Sequence, residues 1–354
     1  MHMADALISP AVGGAMWTAT AVTTVYCARK LRQEGDESKI PLMGVAGAFI
    51  FASQMLNFTI PGTGSSGHLG GGLILAILLG PEAAFLVMAS VLSVQALFFA
   101  DGGLLSLGAN IFNLGFFPAF VAYPLIYKRI VGDSQSRRRI VTGSMLAAIV
   151  GLQLGALGVV LETTASGISD LPFSTFVAIM LPIHLAIGVV EGLVTSAVVL
   201  FVLKAQPELL ARTARRSPLR GLRLKPLFIG LGVAALVAGG ALSWFASTNA
   251  DGLEWSIARV TGSGELESSS QAHDTSADLQ ERTAFLPDYG FRQSEPAAEE
   301  AANGEEESGT WPGVDPGTSV AGIVGALIVL VVATTVGLVL KKRSAARAAP
   351  APRR

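Results

Sequence analysis

The chain has 354 residues, 51% of them apolar and only 14% charged, with a net charge of −1. Its long apolar runs mark an all-α multi-pass membrane protein, since a spanning helix needs ~20 largely apolar residues. The single cysteine, Cys27, excludes an intramolecular disulfide and any multi-cysteine metal site. The near-zero charge hides an asymmetry: acid gathers between Asp251 and Asp315, base in three short loops and the C-terminal tail.

The first apolar segment runs from Pro10 to Ala28 and ends at Arg29, Lys30 and Arg32. No basic residue precedes it, so a cleaved signal is not expected. Met1 is expected to persist, because His2 is too large for the usual removal of the initiator. The second segment covers Ile40 to Ile60. An uncharged Gly/Ser-rich loop, Pro61 to Gly67, then leads to His68. The chain is apolar to Ala100 with one break at Gly80-Pro81, turns at Asp101-Gly102-Gly103, and is apolar again from Leu104 to Tyr127. Lys128, Arg129, Arg137, Arg138 and Arg139 follow, then spans at Val141 to Leu161 and Phe173 to Leu203, then a basic linker, 206–225. An eighth helix, Pro226 to Phe245, enters a hydrophilic acidic segment, Ala246 to Gly317. A ninth, Val320 to Leu340, ends at Lys341, Lys342 and Arg343, and a disordered tail, 346–354, is expected beyond.

The positive-inside rule puts the basic loops and the C-terminus in the cytoplasm. The His68 loop is then outside and the Arg137 loop inside, so an odd number of crossings must separate them. A break at Gly80-Pro81 supplies three, at the cost of a short first piece, Leu69 to Leu79; a helix buried in protein can be shorter than one facing lipid. The reading is a first domain, 1–205, of about seven helices with its N-terminus outside, and a second region, 226–345, whose two helices flank an extracytoplasmic segment, 246–317. Within that segment, Gly262 to Asp278 and Ser294 to Gly309 have the composition of disorder, whereas Asp251 to Trp255 and Phe285 to Phe291 are islands able to pack.

With the N-terminus outside, Met1, His2 and His68 share one side. A chain beginning Met-His offers a cation three nitrogens in sequence: the free amine of Met1, the deprotonated amide of His2 and the His2 ring Nδ1. Together they close two small chelate rings in one plane. His68 is the donor available for a fourth corner. Square-planar nitrogen ligation suits nickel(II) or copper(II), and cobalt(II) also fits a nitrogen site. Imidazole binds only when neutral and the amide must lose its proton, so affinity should fall with acid.

The start Met1-His2-Met3-Ala4-Asp5, then Ser66-Gly67-His68-Leu69-Gly70-Gly71, Leu78-Leu79-Gly80-Pro81, Gln95 to Gly103, Leu107-Gly108-Ala109-Asn110 and His184-Leu185-Ala186-Ile187-Gly188-Val189-Val190-Glu191-Gly192 occur in an order that resembles the CbiM/NikM family. These are the metal-binding membrane subunits (S components) of energy-coupling-factor transporters for cobalt and nickel. The resemblance covers residues 1–205. The chain from about residue 226 looks like the small companion subunit with a PDGLE-type segment, fused here at the C-terminus, although Ala250 stands where that motif has proline. The resemblance implies a seven-helix fold, a site made by Met1, His2 and the ring of His68, and partners: a transmembrane coupling subunit and cytoplasmic ATPase subunits. No G-x-x-x-x-G-K-[ST] loop occurs, so ATP is not expected to bind here in that manner. No enzymatic chemistry, resident cofactor or nucleic-acid partner is expected.

Four further polar residues lie within apolar segments. His184 and Glu191, seven apart, share a helix face and read either as a functional pair or as groups each satisfied by a neighbouring helix. Asn110 and Asn113 read equally as supports for His2 or His68 or as interhelical hydrogen bonds. Asp101 reads as turn chemistry, and His273 as a solvated residue without special role. Gly44, Ala48 and Ala52 read as internal packing or as a docking face for the coupling subunit. The rival to an S component is a stand-alone metal permease, which would need acidic or histidine residues along a midplane path; only His184 and Glu191 offer themselves. An intramembrane metalloenzyme lacks any H-E-x-x-H motif.

Overall fold

The computed structural model describes residues 2–132, 136–169, 171–262, 270–292 and 312–348. The first half contains α1 (Pro10–Glu34), α2 (Lys39–Gln54), a hairpin of β1 (Phe58–Ile60) and β2 (Ser65–Gly67), α3 (Gly72–Leu79), α4 (Pro81–Phe99), α5 (Leu107–Val131), α6 (Arg137–Ser166) and α7 (Phe173–Ala205). The second half contains α8 (Pro207–Ala214), α9 (Lys225–Gly240), α10 (Gly252–Thr261), α11 (Gln271–Thr283) and α12 (Pro316–Ala348). Helices α4, α5, α6, α7 and α12 are long and apolar enough to cross a membrane, while α2 and α9 are shorter, at 16 residues each. The 25-residue α1 has the length, but its sequence is diluted by threonines and by Arg29, Lys30 and Arg32. The architecture is that of a multi-pass helical membrane protein.

The break at Gly80-Pro81 is real. Gly80 adopts φ 85°, ψ 161°, a conformation that favours glycine, and Pro81 opens α4 at a position where its missing N–H costs nothing. Helix α3 has eight residues, all buried. It rises only ~12 Å, less than half of a ~30 Å hydrocarbon core, so the turn at Leu69, Gly70 and Gly71 supplies part of that passage. Gly71, at φ 79°, starts the helix with its backbone against Ile50.

Hydrogen bonds sort the helix ends into two groups. At one end, the Thr213 hydroxyl donates to Leu78 O (3.1 Å), Lys128 Nζ to Ala214 O (2.9 Å) and Leu219 N–H to Asp36 (2.7 Å). Arg216 pairs with buried Glu82 at 3.1 Å, and Lys341 with Glu37 at 2.8 Å. This is the basic end, and the linker 206–225 is folded onto it. At the other end lie His2, His68, Asp101 and the segment around α10 and α11. Leu78 at the first end and His68 at the second are joined by α3 and its lead-in, and Lys128 and Asp101 by α5. The alternation required of three crossings between His68 and Arg137 is therefore present.

The two C-terminal membrane helices pack on α2. Cβ atoms built on Gly44 would collide with the Thr334 hydroxyl and Leu330 O, and one on Gly47 would meet Val329 at 3.0 Å. The small-residue stripe of α2 is therefore an internal seam filled by α12, not an open docking face. Helices α9 and α12 cross where Gly239 and Gly322 touch backbone to backbone.

The structure departs from the sequence reading at two elements. The loop 61–67 is the turn and second strand of a hairpin, pairing Phe58 with Gly67 and Ile60 with Ser65. Residues 271–283, partly within the stretch assigned the composition of disorder, form α11, because its polar face bonds to the membrane domain rather than building a core of its own. Ser294 to Gly309 lies outside the described residues.

Gly44→Leu should separate α12 from α2. Overpacking of a filled seam costs about 1–3 kcal/mol, so the variant should melt earlier in detergent, and α12 should become more accessible to protease than in the parent chain.

Candidate metal-binding site

The site begins with how a chain terminus is held still. Asn110 on α5 grips Met3 as one strand grips another: Met3 N–H donates to Asn110 Oδ1 at 2.8 Å, and Asn110 Nδ2 donates back to Met3 O at 3.1 Å. Met3 O also accepts from Gly103 N–H (2.9 Å) and the Ser106 hydroxyl. Ser106 N–H donates to Asp5 at 2.9 Å. The Met3 side chain is fully buried. Gly102 and Gly103 are needed because the incoming segment lies against them: a Cβ on Gly102 would sit 2.9 Å from Asn110 Nδ2 and 3.3 Å from the His2 Cβ, and one on Gly103 would overlap Asp5.

Held in this way, His2 is delivered to His68. The rings stack with centroids 4.9 Å apart and planes 10° from parallel. His68 Nδ1 lies 3.1 Å from Leu69 O, which only accepts, so Nδ1 carries the proton and Nε2 keeps its lone pair. Burial, reinforced by nearby positive charge, pulls the His68 imidazole down to about 3; it is neutral, as a ligand must be. His2 Nδ1 faces Asp101 Oδ1 at 2.9 Å, and His2 Nε2 is buried without a hydrogen-bond partner among the described residues. Met1 lies outside the described residues. Among the described residues, no cluster of three or more His, Cys, Asp or Glu side chains is placed to hold an ion.

Asp101 is more than a turn residue. Gly102 after it does have positive φ, but the Asp101 carboxylate accepts from both His2 and the Tyr289 hydroxyl. Burial alone would raise this carboxyl; the His2 imidazole, with the Tyr289 hydroxyl, outweighs burial and holds it at about 2. Tyr289 itself stacks on Phe99, with centroids 5.0 Å apart. No local sequence signal connects residues 101 and 289.

The two asparagines part company. Asn110 holds the N-terminal segment, whereas Asn113 Nδ2 donates to Glu162 on α6 at 2.8 Å, an interhelical bond. His184 and Glu191 also differ. Glu191 accepts Gly70 N–H at 3.0 Å and Gly71 N–H at 3.1 Å, one on each oxygen. Gln54 Nε2 donates to Gly70 O at 2.9 Å and is itself held by Gln95. The turn that follows His68 is thus fastened to α7 and α2 together. His184, about two helical turns before Glu191, hydrogen-bonds Met180 O on its own helix.

The C-terminal segment closes this end. Asp251 caps α10 through the N–H groups of Leu253 (2.7 Å) and Glu254 (2.9 Å), and the Glu254 side chain reaches back to Asp251 N–H in a capping box. Gly252 lies against α7, where a Cβ would stand 2.6 Å from Ile183 and 3.3 Å from the His184 ring. Ser66 N–H donates to Ala250 O at 2.8 Å, binding hairpin to motif. His273, read from sequence as idle, is buried; its Nε2 lies 3.0 Å from both Asp5 O and Ile8 O. Gln280 Nε2 donates to Ala96 O (2.8 Å) and Gly102 O (2.7 Å).

Residues 2–209 match the family described as cobalt uptake substrate-specific transmembrane region, and residues 225–342 match the PDGLE domain. A putative fused nickel transport protein of Archaeoglobus fulgidus is 32% identical over 340 residues, covering 93% of this chain and 96% of that protein. A fused nickel transport protein of Rhodobacter capsulatus is 34% identical over 72% of this chain and 75% of its own length. A crystal structure of a transition metal transporter matches with a TM-score of 0.53 and 29% identity, covering 62% of this chain and all of that one.

Glu191→Gln should loosen the turn after His68. The amide can accept one glycine N–H but opposes the other with its own, at a cost of about 1–3 kcal/mol. Amide exchange at Gly70 and Gly71 should quicken ~10–100-fold, while protection of α6 and α12 stays as in the parent.

Proposed function

The chain belongs to the CbiM family of cobalt-uptake transmembrane proteins, carries a companion PDGLE domain on the same polypeptide, and is a metal transport protein rather than an enzyme. On that premise we propose that it is the substrate-capturing component of an ATP-driven importer of nickel(II) or cobalt(II) of the energy-coupling-factor type. The ion is held by the Met1 amine, the His2 amide and Nδ1, and His68 Nε2. The observation that supports this best is the stacking of His2 on His68 at 4.9 Å, with the Nδ1 bond to Leu69 O making Nε2 the unprotonated nitrogen of His68.

Chelation exchanges one contact for another. The nitrogen that the chelate requires, His2 Nδ1, rests against Asp101. To bind, the ring turns about its Cβ–Cγ bond, gives up that carboxylate and loses the Nδ1 proton to solvent, as the His2 amide loses its own. Asp101 keeps the Tyr289 hydroxyl, and its negative charge beside the site offsets part of the charge of a divalent cation. Planar four-nitrogen ligation favours nickel.

The basic end, with Arg216, Lys128 and the linker 206–225, faces the cytoplasm by the positive-inside rule. The histidine end therefore opens outward in the plasma (inner) membrane, where the ion is captured. The chain has no P-loop of its own, which agrees with separate ATPase subunits acting through a transmembrane coupling subunit.

Because the Met1 amine is a ligand, lengthening the N-terminus should abolish tight binding with every side chain kept. An added residue turns that amine into a peptide amide and pushes extra chain into the buried gap beside Gly102 and Gly103. Purified chains carrying one extra N-terminal residue, or His68→Ala, should lose both bound nickel and the yellow absorbance of planar low-spin nickel. A chain tagged at the C-terminus should keep both. Equal affinity in the extended and C-terminally tagged forms would show that the amine does not coordinate.

A further inference from the structure

Of the four histidines, His2, His68 and His273 all have hydrogen-bond or ring partners at the histidine end; His184 stands apart on α7, almost fully buried at 1% exposure. Its Nδ1 lies 2.8 Å from Met180 O. A carbonyl only accepts, so Nδ1 carries the proton, and Nε2 presents a lone pair. That Nε2 is buried and has no hydrogen-bond partner among the described residues. A buried acceptor left unpaired is costly, and native proteins keep such groups for a reason. Here the ring lines a cavity of about 10 Å³ bordered by Gly67, His68, Gly70, Asp251 and Gly252, room for roughly one water or one small ion. The cavity lies directly behind the His68 turn, and Gly252 is kept small so that the chain passes 3.3 Å from the His184 ring.

We propose that His184 is a transit ligand for the transported ion, the nitrogen to which a nickel(II) or cobalt(II) ion is passed as it leaves the His2–His68 site; the proposal rests on the function argued above. A planar four-nitrogen complex gives up its ion most readily when an entering donor bonds from outside the plane before a resident nitrogen leaves. His184 Nε2 is such a donor: neutral, unprotonated at that atom and already free of hydrogen bonds. It bonds to the ion as a first resident nitrogen leaves; the remaining bonds to the outgoing site then break in turn, the His2 amide regaining its proton from water, with no change of oxidation state. A single imidazole binds weakly, so this is a passing station and not a second storage site, in keeping with the absence of a three-residue ligand cluster among the described residues.

The test separates passage from capture. His184→Leu fills the volume and removes the nitrogen; His184→Cys restores a donor of another kind. Both are purified as full-length chains for nickel titration, and both are expressed with coupling and ATPase subunits for nickel uptake by cells. The Leu variant should bind nickel with parental affinity and planar absorbance, yet take it up at least ~10-fold more slowly, the factor expected when one bond to the crossing ion is lost. The Cys variant should recover most of that rate, which a merely structural role for the imidazole would not produce. Parental uptake by the Leu variant would show that His184 holds only a water. Equal failure of Leu and Cys, or loss of affinity in either, would show that His184 shapes the fold or the outer site and passes no ion. A parent chain that binds neither nickel nor cobalt would sink the functional reading itself, and this proposal with it.

Discussion

Holding the N-terminal segment of the chain in one place sets the constraint on which the rest of this structure depends. A terminus is the loosest part of a polypeptide, and fixing each residue costs about 1–2 kcal/mol in backbone entropy. Here the cost is met with main-chain hydrogen bonds of the kind found in a sheet, made by a helix side chain. Asn110 serves Met3 as a neighbouring strand would, Ser106 and Gly103 add two more bonds to the same carbonyl, and the Met3 side chain fills the space beneath. The glycines at 102 and 103 are the counterpart: the segment can enter only where two side chains are missing.

The second histidine is positioned by a different device. His68 sits on no helix, so its rigidity comes from the turn behind it. Glu191 and Gln54 hold Gly70 from both sides, donor and acceptor at once. Two polar residues deep in apolar helices thus act on backbone rather than on each other. This explains why His184 and Glu191, which share a face, are not a pair: one is spent on the turn, and the other keeps a nitrogen unspent.

Much of this was legible in the sequence. Apolar run lengths, the Gly80-Pro81 break and the placement of Arg and Lys gave the helices and their alternation, because each is a local signal of composition or backbone chemistry. The meeting of His2 with His68 was legible because the count of crossings puts both at one end of the helices. The supports were not. Asp101 with Tyr289, and His273 with Asp5 and Ile8, join positions 188 or more apart by single bonds, and nothing local in Asp-Gly-Gly or in a polar helix announces them. Helix α11 was obscured for the same reason: its sequence is too polar to fold alone, and it is ordered by what it touches. The role of Asn110 against Asn113 rested on which neighbour each meets, and three residues on a helix cannot say.

The folded linker at the basic end has a consequence for how tightly the second half must grip the first. Joined on one chain, the two halves meet at an effective concentration of order millimolar, fixed by tether length rather than by expression level. The contacts at the histidine end include hydrogen bonds made through Ser66, His273, Gln280 and Tyr289 and the packing of Phe285 on Phe98 and Phe99. As a free subunit, such a partner would depend on the packing of α9 and α12 against α2 to stay bound. Tethered, it can let go of every one of them and still be present, at fixed stoichiometry, for the next encounter.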